Sequence, residues 1–395
     1  MPASSPRLAW VLAALSAIGP FAIDTYLPAF PEMARDLGAS AVEVQQTLTA
    51  YMVTFALMVL WHGALADRFG RRRVLIAATA FFSGASLLCA FAPTIEWLWA
   101  GRALQGLCGG AGMVIGRAVI RDLHEGPQAQ RLMSRVMMIF GIAPAVAPLF
   151  GGYLLVLLGW RSIFVFLALF GLALVVLTWR TLPETLAPAD RQPMHPVALA
   201  RGYGSVLGSG AFLLLAGAVA LMFNGFFLYI LSAPAFVMTH LGLRAQDFSW
   251  LFVPSVAGMM LGSALSGRVA GHWSAARTIG AGFAVMLGAA AAGVAMSLVT
   301  LPDPRWLVLP IACYSIGMAV AMPSLSIMAL DLFPARRGMA SSCQSFLQVG
   351  ANAAIAGALV PLLWSSTVYL ALGMLGFALL SLLAYRSWLA RTARG

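Results

Sequence analysis

The chain has 395 residues, of which 61% are hydrophobic and only 9% are charged. Water-soluble domains are nearer half apolar and a quarter charged, so this composition excludes a soluble globule and predicts a polytopic membrane protein. The net charge of +11 could indicate a nucleic-acid partner, but all 24 basic residues are arginines, and most of them lie in short segments between apolar runs. We therefore expect a lipid bilayer around the chain and no nucleic acid.

Twelve apolar runs are long enough to be membrane spans, which need about 20 residues each. Charged, proline-rich or glycine-rich breaks separate them. The first run is too long for the apolar core of a signal peptide, so we expect it to be retained. The predicted spans are residues 8–30, 44–66, 74–93, 97–117, 132–157, 162–180, 210–236, 248–270, 277–299, 305–328, 339–363 and 367–388.

A hydrophilic segment after the sixth span divides the chain into two halves with similar sequence features. Trp97-Leu98 and Trp306-Leu307 open the fourth and tenth spans, and Asp122-Leu123 and Asp331-Leu332 follow at the same separation. Many transporters are built from repeated halves. The predicted fold is all-α, with twelve transmembrane helices in two pseudo-symmetric six-helix bundles, at residues 1–180 and 210–395, joined by a central cytoplasmic loop at 181–209.

The arginines also predict how the chain is oriented in the membrane. If the N-terminus is cytoplasmic, 18 arginines fall in cytoplasmic segments and 4 in outside loops. Because positive residues are retained on the cytoplasmic side, both termini are expected there.

The four cysteines, Cys89, Cys108, Cys313 and Cys343, all fall within predicted spans and lack the spacing of metal ligands. They are typical of small apolar packing residues, so no metal site is expected.

The loop between the second and third spans carries a long motif, GALADRFGRRRVL, from Gly63 to Leu75. Gly63 is expected to allow close helix approach, Asp67 to end the helix and Gly70 to permit a tight turn. A loop that is merely positive on the cytoplasmic side explains the arginines but not these three residues. The motif resembles the G-x-L-A-D-R-x-G-R-R signature of the major facilitator superfamily at every defining position.

That resemblance implies a gate, in which Asp67, Arg71 and Asp122 form a charge network that holds the outward-facing state and breaks on switching. A static staple that fixes the loop is the alternative. The residues assigned to the gating loop are Gly63, Asp67, Arg68, Gly70, Arg71, Arg72 and Asp122.

Three further motifs fall in the first half. Arg102, Gln105 and Gly106 match the superfamily's R-x-x-Q-G element in the fourth span. The segment from Asp24 to Pro28, DTYLP, is similar to the D-x-Y-L-P of the bicyclomycin and chloramphenicol resistance branch of drug:proton antiporters. The fifth span resembles the antiporter signature G-P-x-x-G-G, with alanine at position 147 where the pattern has glycine; its residues are Pro144, Pro148, Gly151 and Gly152.

Asp24 and Arg102 are predicted to lie at similar depth, about 12 Å and 9 Å from the same outer surface at about 1.5 Å per residue. An acid in the hydrocarbon costs about 2.5–3.5 kcal/mol, which makes it a functional hypothesis by default. No other acid is predicted to lie fully within a span. We assign proton coupling to Asp24 with Arg102 as its electrostatic partner; a position of Asp24 at the outer interface is the alternative.

Polar and aromatic residues within the spans are the predicted substrate-binding residues. Apolar walls with a few polar groups suit uncharged or amphipathic organic molecules. Hydrogen bonding between helices is the alternative role for each of them. They are Tyr26, Tyr51, Asn224, Tyr229, Tyr314, Gln344, Gln348 and Asn352.

The resemblance implies a secondary active exporter of small drugs of the phenicol or bicyclomycin kind, working by proton antiport and alternating access in the bacterial inner membrane. The proton gradient would supply the energy without a cofactor, and the chain would act as a monomer. Proton-coupled export of a metabolite, such as a sugar or amino-acid derivative, is the alternative. A membrane enzyme or sensor has little support, since the sequence has no His-Glu metal cluster, no nucleophile beside a base and no phosphate-binding glycine loop.

Overall fold

The computed structural model describes residues 6–124, 126–191, 195–299 and 303–392. Every regular element among these residues is a helix, and twelve helical segments are long and apolar enough to cross a membrane. This agrees with the predicted all-α fold. The spans are Leu8–Asp36, Ala41–Phe69, Arg71–Ala90, Ile95–Leu123, Gly141–Leu158, Arg161–Thr181, Gly210–Leu231, Ala245–Val269, Ala275–Val299, Arg305–Asp331, Arg337–Leu363 and Thr367–Thr392.

The chain divides into two compact units, Met1–Pro196 and Val197–Gly395, each with six of the spans. The fifth span lies within a longer helix, Gly126–Leu158. A helix outside the spans, Pro196–Leu207, begins at the boundary between the units.

Several spans are interrupted rather than continuous. The first consists of the helix Pro6–Asp24, a short 3₁₀ turn at Leu27–Ala29 and the helix Phe30–Asp36. The fourth breaks at Gly110, between the helices Ile95–Gly109 and Ala111–Leu123. Broken helices at membrane depth are tolerated where the free backbone groups are buried in protein, and transporters place binding sites at such breaks.

The described part of the second unit has two π-helical turns. One, Pro234–His240, follows the seventh span, Gly210–Leu231, and the other, Ile355–Leu359, interrupts the eleventh span. The His240 Nε2 lies 2.7 Å from the Trp364 carbonyl oxygen and connects the end of the first turn to the end of the eleventh span.

Small residues bring helices of the first unit together. A Cβ at Gly112 would collide with the Leu15 carbonyl, and one at Gly106 would collide with the Tyr51 carbonyl. Contacts of this kind replace the hydrophobic effect as the source of helix association within a bilayer. Gly63 does not make one, because a Cβ there would meet only Val114 Cγ1 at an ordinary 3.9 Å, so the close approach predicted for Gly63 is wrong.

One end of the first span is anchored to the loop between the fifth and sixth spans. The Trp160 backbone N–H donates to Glu32 at 3.2 Å, and its indole N–H donates to Asp36 at 2.9 Å. Arg161 forms an ion pair with Asp36. These contacts fix the segment that follows the break at Asp24.

Candidate functional site

Asp24 is the last residue of the helix Pro6–Asp24, at the break in the first span. Its side chain is only 4% exposed, and its Oδ1 atom has no hydrogen-bond partner. The next two residues, Thr25 and Tyr26, are fully buried. The carboxyl group therefore lies in the interior of the first unit rather than at an exposed end of the span.

Arg102 is fully buried between two tyrosine rings. Its guanidinium carbon lies 4.3 Å from the centroid of Tyr26 and 4.4 Å from that of Tyr51. A desolvated cation–π contact is worth about 2 kcal/mol or more. The two rings therefore stabilise a charge that is costly to bury.

A chain of hydrogen bonds holds the same guanidinium from the other side. Arg102 Nη1 donates to Gln105 Oε1 at 2.7 Å, since the R-x-x-Q spacing places the two side chains on one helix face. Gln105 Nε2 in turn donates to Ser86 Oγ in the third span at 2.7 Å. The motif thus ties the position of Arg102 to a neighbouring helix.

Glycines of the fourth span make room for Tyr51. A Cβ at Gly109 would collide with the Tyr51 hydroxyl, just as one at Gly106 would collide with its carbonyl. Because both glycines lack side chains, the second span packs directly on the fourth and Tyr51 reaches Arg102.

Asp24 and Arg102 form no ion pair with each other among the residues that the structure describes. Arg102 instead contacts Tyr26, two residues beyond Asp24 in the chain. Its Nε and Nη2 atoms have no hydrogen-bond partner, and neither does the Tyr51 hydroxyl. The site thus contains unused donors on Arg102 and an unused acceptor on Asp24.

The antiporter-like motif contacts the first span next to Asp24. A Cβ at Gly151 would fall almost on the Thr25 carbonyl oxygen, so only glycine allows the two helices to lie this close. Gly152 and Pro148 are also buried, and Pro144 and Pro148 both lie inside the helix Gly126–Leu158. Each proline removes a backbone hydrogen bond from that helix.

The loop between the second and third spans has a charge network centred on Arg71. Arg71 forms an ion pair with Asp67, and its Nε lies 3.2 Å from Asp122 Oδ2. The hydroxyl of Thr185 donates to the same Asp122 oxygen at 2.8 Å. The three residues assigned to a charge network therefore do lie in contact, while a gating role for them stays a proposal.

Glu184 completes this network from the segment after the sixth span. Its carboxylate accepts a hydrogen bond from the Arg71 backbone N–H at 2.8 Å, at the start of the third span. Gly70 has a φ of +99°, and a Cβ there would collide with the Glu184 carboxylate. The glycine is required both by its backbone conformation and by the approach of Glu184.

The two remaining arginines of the predicted gating loop have separate contacts. The Arg68 guanidinium lies 5.2 Å from the Phe69 ring, and Arg72 donates to the Trp179 carbonyl. Neither of them joins the network around Arg71.

The predicted substrate-binding residues of the second unit have mixed surroundings. Tyr314 donates its hydroxyl to the Met222 carbonyl at 3.0 Å, and Tyr229 packs on the Phe236 ring at 5.1 Å. Both tyrosines therefore have contacts within the protein that explain their burial without a bound substrate.

The amides of the second unit retain more unused hydrogen-bonding capacity. The Oδ1 atoms of Asn224 and Asn352 are buried without a partner. Gln344 donates to Ser326 at 2.8 Å but its Oε1 atom is also unpartnered, and Gln348 is half-buried.

Sequence reasoning missed Glu184 and Ser86 as parts of these sites. Glu184 is one charge in a hydrophilic segment, and Ser86 is one of three hydroxyl residues in a mostly apolar helix. Neither residue carries a local signal, because each acts on a residue far away in the chain.

Known proteins are similar to this chain over most of its length. Residues 12–356 match the family described as Major Facilitator Superfamily. The chain is 35% identical over 345 residues to the Uncharacterized MFS-type transporter YdgK of Bacillus subtilis, covering 86% of this chain and 85% of that one. It is 30% identical over 257 residues to the Bicyclomycin resistance protein homolog of Haemophilus influenzae, covering 65% of each.

Two further similarities extend over most of the chain. It is 28% identical over 354 residues to Multidrug resistance protein D of Escherichia coli, covering 87% of this chain and 85% of that one. Its fold is similar to that of the POT family transporter PepTSo, with a TM-score of 0.74, 14% identity and coverage of 98% and 99%. With the family match over most of its length, the chain is a member of the Major Facilitator Superfamily, a multi-pass membrane transporter of small molecules.

Proposed function

We propose that this transporter exports small amphipathic or uncharged drugs in exchange for protons, by alternating access. The observation that carries the proposal is the buried carboxyl of Asp24 at a helix break. Its Oδ1 atom has no hydrogen-bond partner, and two residues later Tyr26 contacts Arg102, which has unused donors. Relatives named for bicyclomycin and multidrug resistance support the drug as the substrate class.

Asp24 is the proposed proton carrier. A buried carboxylate without a partner is far more costly than a neutral carboxyl group, so the conformation described here suits the protonated acid. When the acid loses its proton, the resulting carboxylate needs a cation or hydrogen-bond donors. The free Nε and Nη2 groups of Arg102 are the donors that we assign to it.

The drug is proposed to compete with the proton for Asp24. Hydroxyl and N–H groups of a neutral drug can donate hydrogen bonds to a carboxylate, and the aromatic rings of Tyr26 and Tyr51 offer apolar surface near Arg102. Because these bonds stabilise the carboxylate, bound drug would favour loss of the proton from Asp24, and protonation of Asp24 would release the drug. This competition would couple the exit of drug to the entry of a proton.

One proton is enough to drive useful export. Moving one charge through 100 mV supplies about 2.3 kcal/mol. At 1.4 kcal/mol per tenfold change, this corresponds to a gradient of about fiftyfold for a neutral drug. No cofactor is part of the proposal, since the proton gradient is the energy source.

The helix Gly126–Leu158 and the loop between the second and third spans have proposed roles in the change between conformations. The contact of Gly151 with Thr25 lets a movement of the fifth span reach the break beside Asp24. The network of Asp67, Arg71, Asp122 and Glu184 would hold one conformation and break in the other. We further propose a monomer in a bacterial inner membrane, with both termini cytoplasmic as the arginine distribution indicates.

A susceptibility panel tests the substrate class. Cells that lack their own exporters would express the wild type or Asp24→Asn and be exposed to phenicols, bicyclomycin, fluoroquinolones and cationic dyes. We expect the wild type to protect against at least one neutral or amphipathic compound and Asp24→Asn to protect against none at equal expression. If the wild type protects against nothing, export of a metabolite becomes the better proposal.

A further inference from the structure

An apolar groove lies on the first unit between the second and third spans. Those two spans contact each other much less than each contacts the fourth, so a channel of about 1150 Å³ remains above the fourth span. Its walls include Met58 and Phe69 of the second span, Phe81 and Gly84 of the third, and Leu104 of the fourth. The groove is separate from the site at Asp24 and Arg102, whose residues do not line it.

The groove has the length of one leaflet of a bilayer. Along the third span its lining runs from Arg73 to Leu88, which is about 22 Å at a rise of about 1.5 Å per residue. Half of a bilayer, headgroups included, is about 20–22 Å thick. A single phospholipid, with its headgroup at Arg73 and its acyl chains toward Leu88, fits this length.

Arg73 is the charged residue available to a headgroup at that end. Of the neighbouring arginines, Arg71 is bound to acidic residues, Arg72 donates to the Trp179 carbonyl and Arg68 lies over Phe69. Arg73 is exposed, lines the groove, and has no hydrogen bond or ion pair among the described residues. The polar side chain deeper in the wall, His62, is already engaged through Nε2 with the Leu107 carbonyl at 3.1 Å.

We infer that this groove binds one anionic phospholipid of the cytoplasmic leaflet. Its acyl chains lie along the apolar walls and its phosphate pairs with the Arg73 guanidinium. The charge of Arg73 selects an anionic over a zwitterionic headgroup. The leaflet follows from the orientation proposed above, whereas the groove and its free arginine do not depend on the transported substrate.

Native mass spectrometry of the purified full-length protein tests this inference. Phosphatidylglycerol and phosphatidylcholine with identical acyl chains are offered in equal amounts, and the lipids retained by the protein are counted. We expect one tightly held lipid, with phosphatidylglycerol preferred about fivefold, the factor that corresponds to about 1 kcal/mol per basic residue.

Two matched pairs of variants locate the lipid. Arg73→Gln should remove the preference, whereas Arg180→Gln, an exposed arginine at the end of the sixth span, should keep it. Gly84→Phe should displace the lipid by filling the groove, whereas Gly280→Phe should not. Both glycines are exposed, with open space where a Cβ would lie, so both variants are expected to fold.

Three outcomes would overturn the inference. The first is equal retention of the two lipids by the wild type. The second is the same loss of preference in Arg73→Gln and Arg180→Gln. The third is a dimer that Gly84→Phe abolishes, because it would assign the groove to a second copy of the chain.

Discussion

Replacing Gly151 by alanine tests the contact that connects the antiporter-like motif to the acid. The added Cβ would fall on the carbonyl oxygen of Thr25, which belongs to the backbone and cannot rotate away. Overpacking of a close contact costs about 1–3 kcal/mol, and a backbone obstacle puts this variant at the upper end of that range. Replacing glycine by alanine within a helix returns about 1 kcal/mol. The net expected loss is therefore about 2 kcal/mol.

Gly141→Ala is the control for this variant, because Gly141 lies in the same helix and a Cβ there has no neighbour within 4 Å. It should gain up to about 1 kcal/mol from helix propensity alone, so the two variants should differ by about 3 kcal/mol. Thermal unfolding in detergent, followed by tryptophan fluorescence, gives the comparison. Equal midpoints for the two variants would refute the close contact of the fifth span with Thr25.

Three further variants test other contacts. Tyr51→Leu removes one of the two rings that contact Arg102 and should lower the free energy of unfolding by about 2 kcal/mol. Tyr51→Phe keeps the ring, loses only an unpartnered hydroxyl and should unfold like the wild type. Equal losses of stability in the two variants would contradict the cation–π assignment. Gln105→Leu should cost about 1.5–3 kcal/mol, because it removes a hydrogen bond to a buried charge, and an unchanged unfolding midpoint would mean that the chain to Ser86 is unimportant. Gly70→Ala should cost about 1–3 kcal/mol from its φ of +99° alone, with the exposed helical Gly84→Ala as a control that should not be destabilised.

The spans were predictable from sequence because the bilayer sets a simple rule of length and hydropathy. All twelve predicted spans overlap spans of the structure, and most boundaries agree within a few residues. The fifth predicted span, residues 132–157, lies within the helix Gly126–Leu158. The break in the first span was not predicted, although Pro28 follows it closely.

The charged loop was partly predictable. The resemblance of the loop to the superfamily signature implied that Asp67, Arg71 and Asp122 form a network, and these residues are in contact. It did not indicate Glu184, which reaches the loop from more than a hundred residues away. Gly63 was assigned a contact that the structure does not show: it belongs to the motif but has room for a side chain.

The surroundings of Arg102 could not be predicted by estimates of depth. Such estimates placed Asp24 and Arg102 near the same level and suggested Arg102 as the electrostatic partner of Asp24. The side chain instead lies between Tyr26 and Tyr51, because the glycines of the fourth span admit Tyr51 and the break in the first span positions Tyr26. Lateral position and rotamer depend on packing between helices that are distant in sequence.

Proton movement in everted membrane vesicles tests the role of Asp24 most directly. Vesicles are energised to build a proton gradient, a drug identified by the susceptibility panel is added, and proton release is followed with a pH-sensitive dye. Asp36→Asn is the matched control, since it makes the same change in the same span at an ion pair with Arg161. We predict that the drug releases protons in wild-type and Asp36→Asn vesicles and releases none in Asp24→Asn vesicles at equal expression. Drug-dependent proton release that persists in Asp24→Asn vesicles would contradict the account.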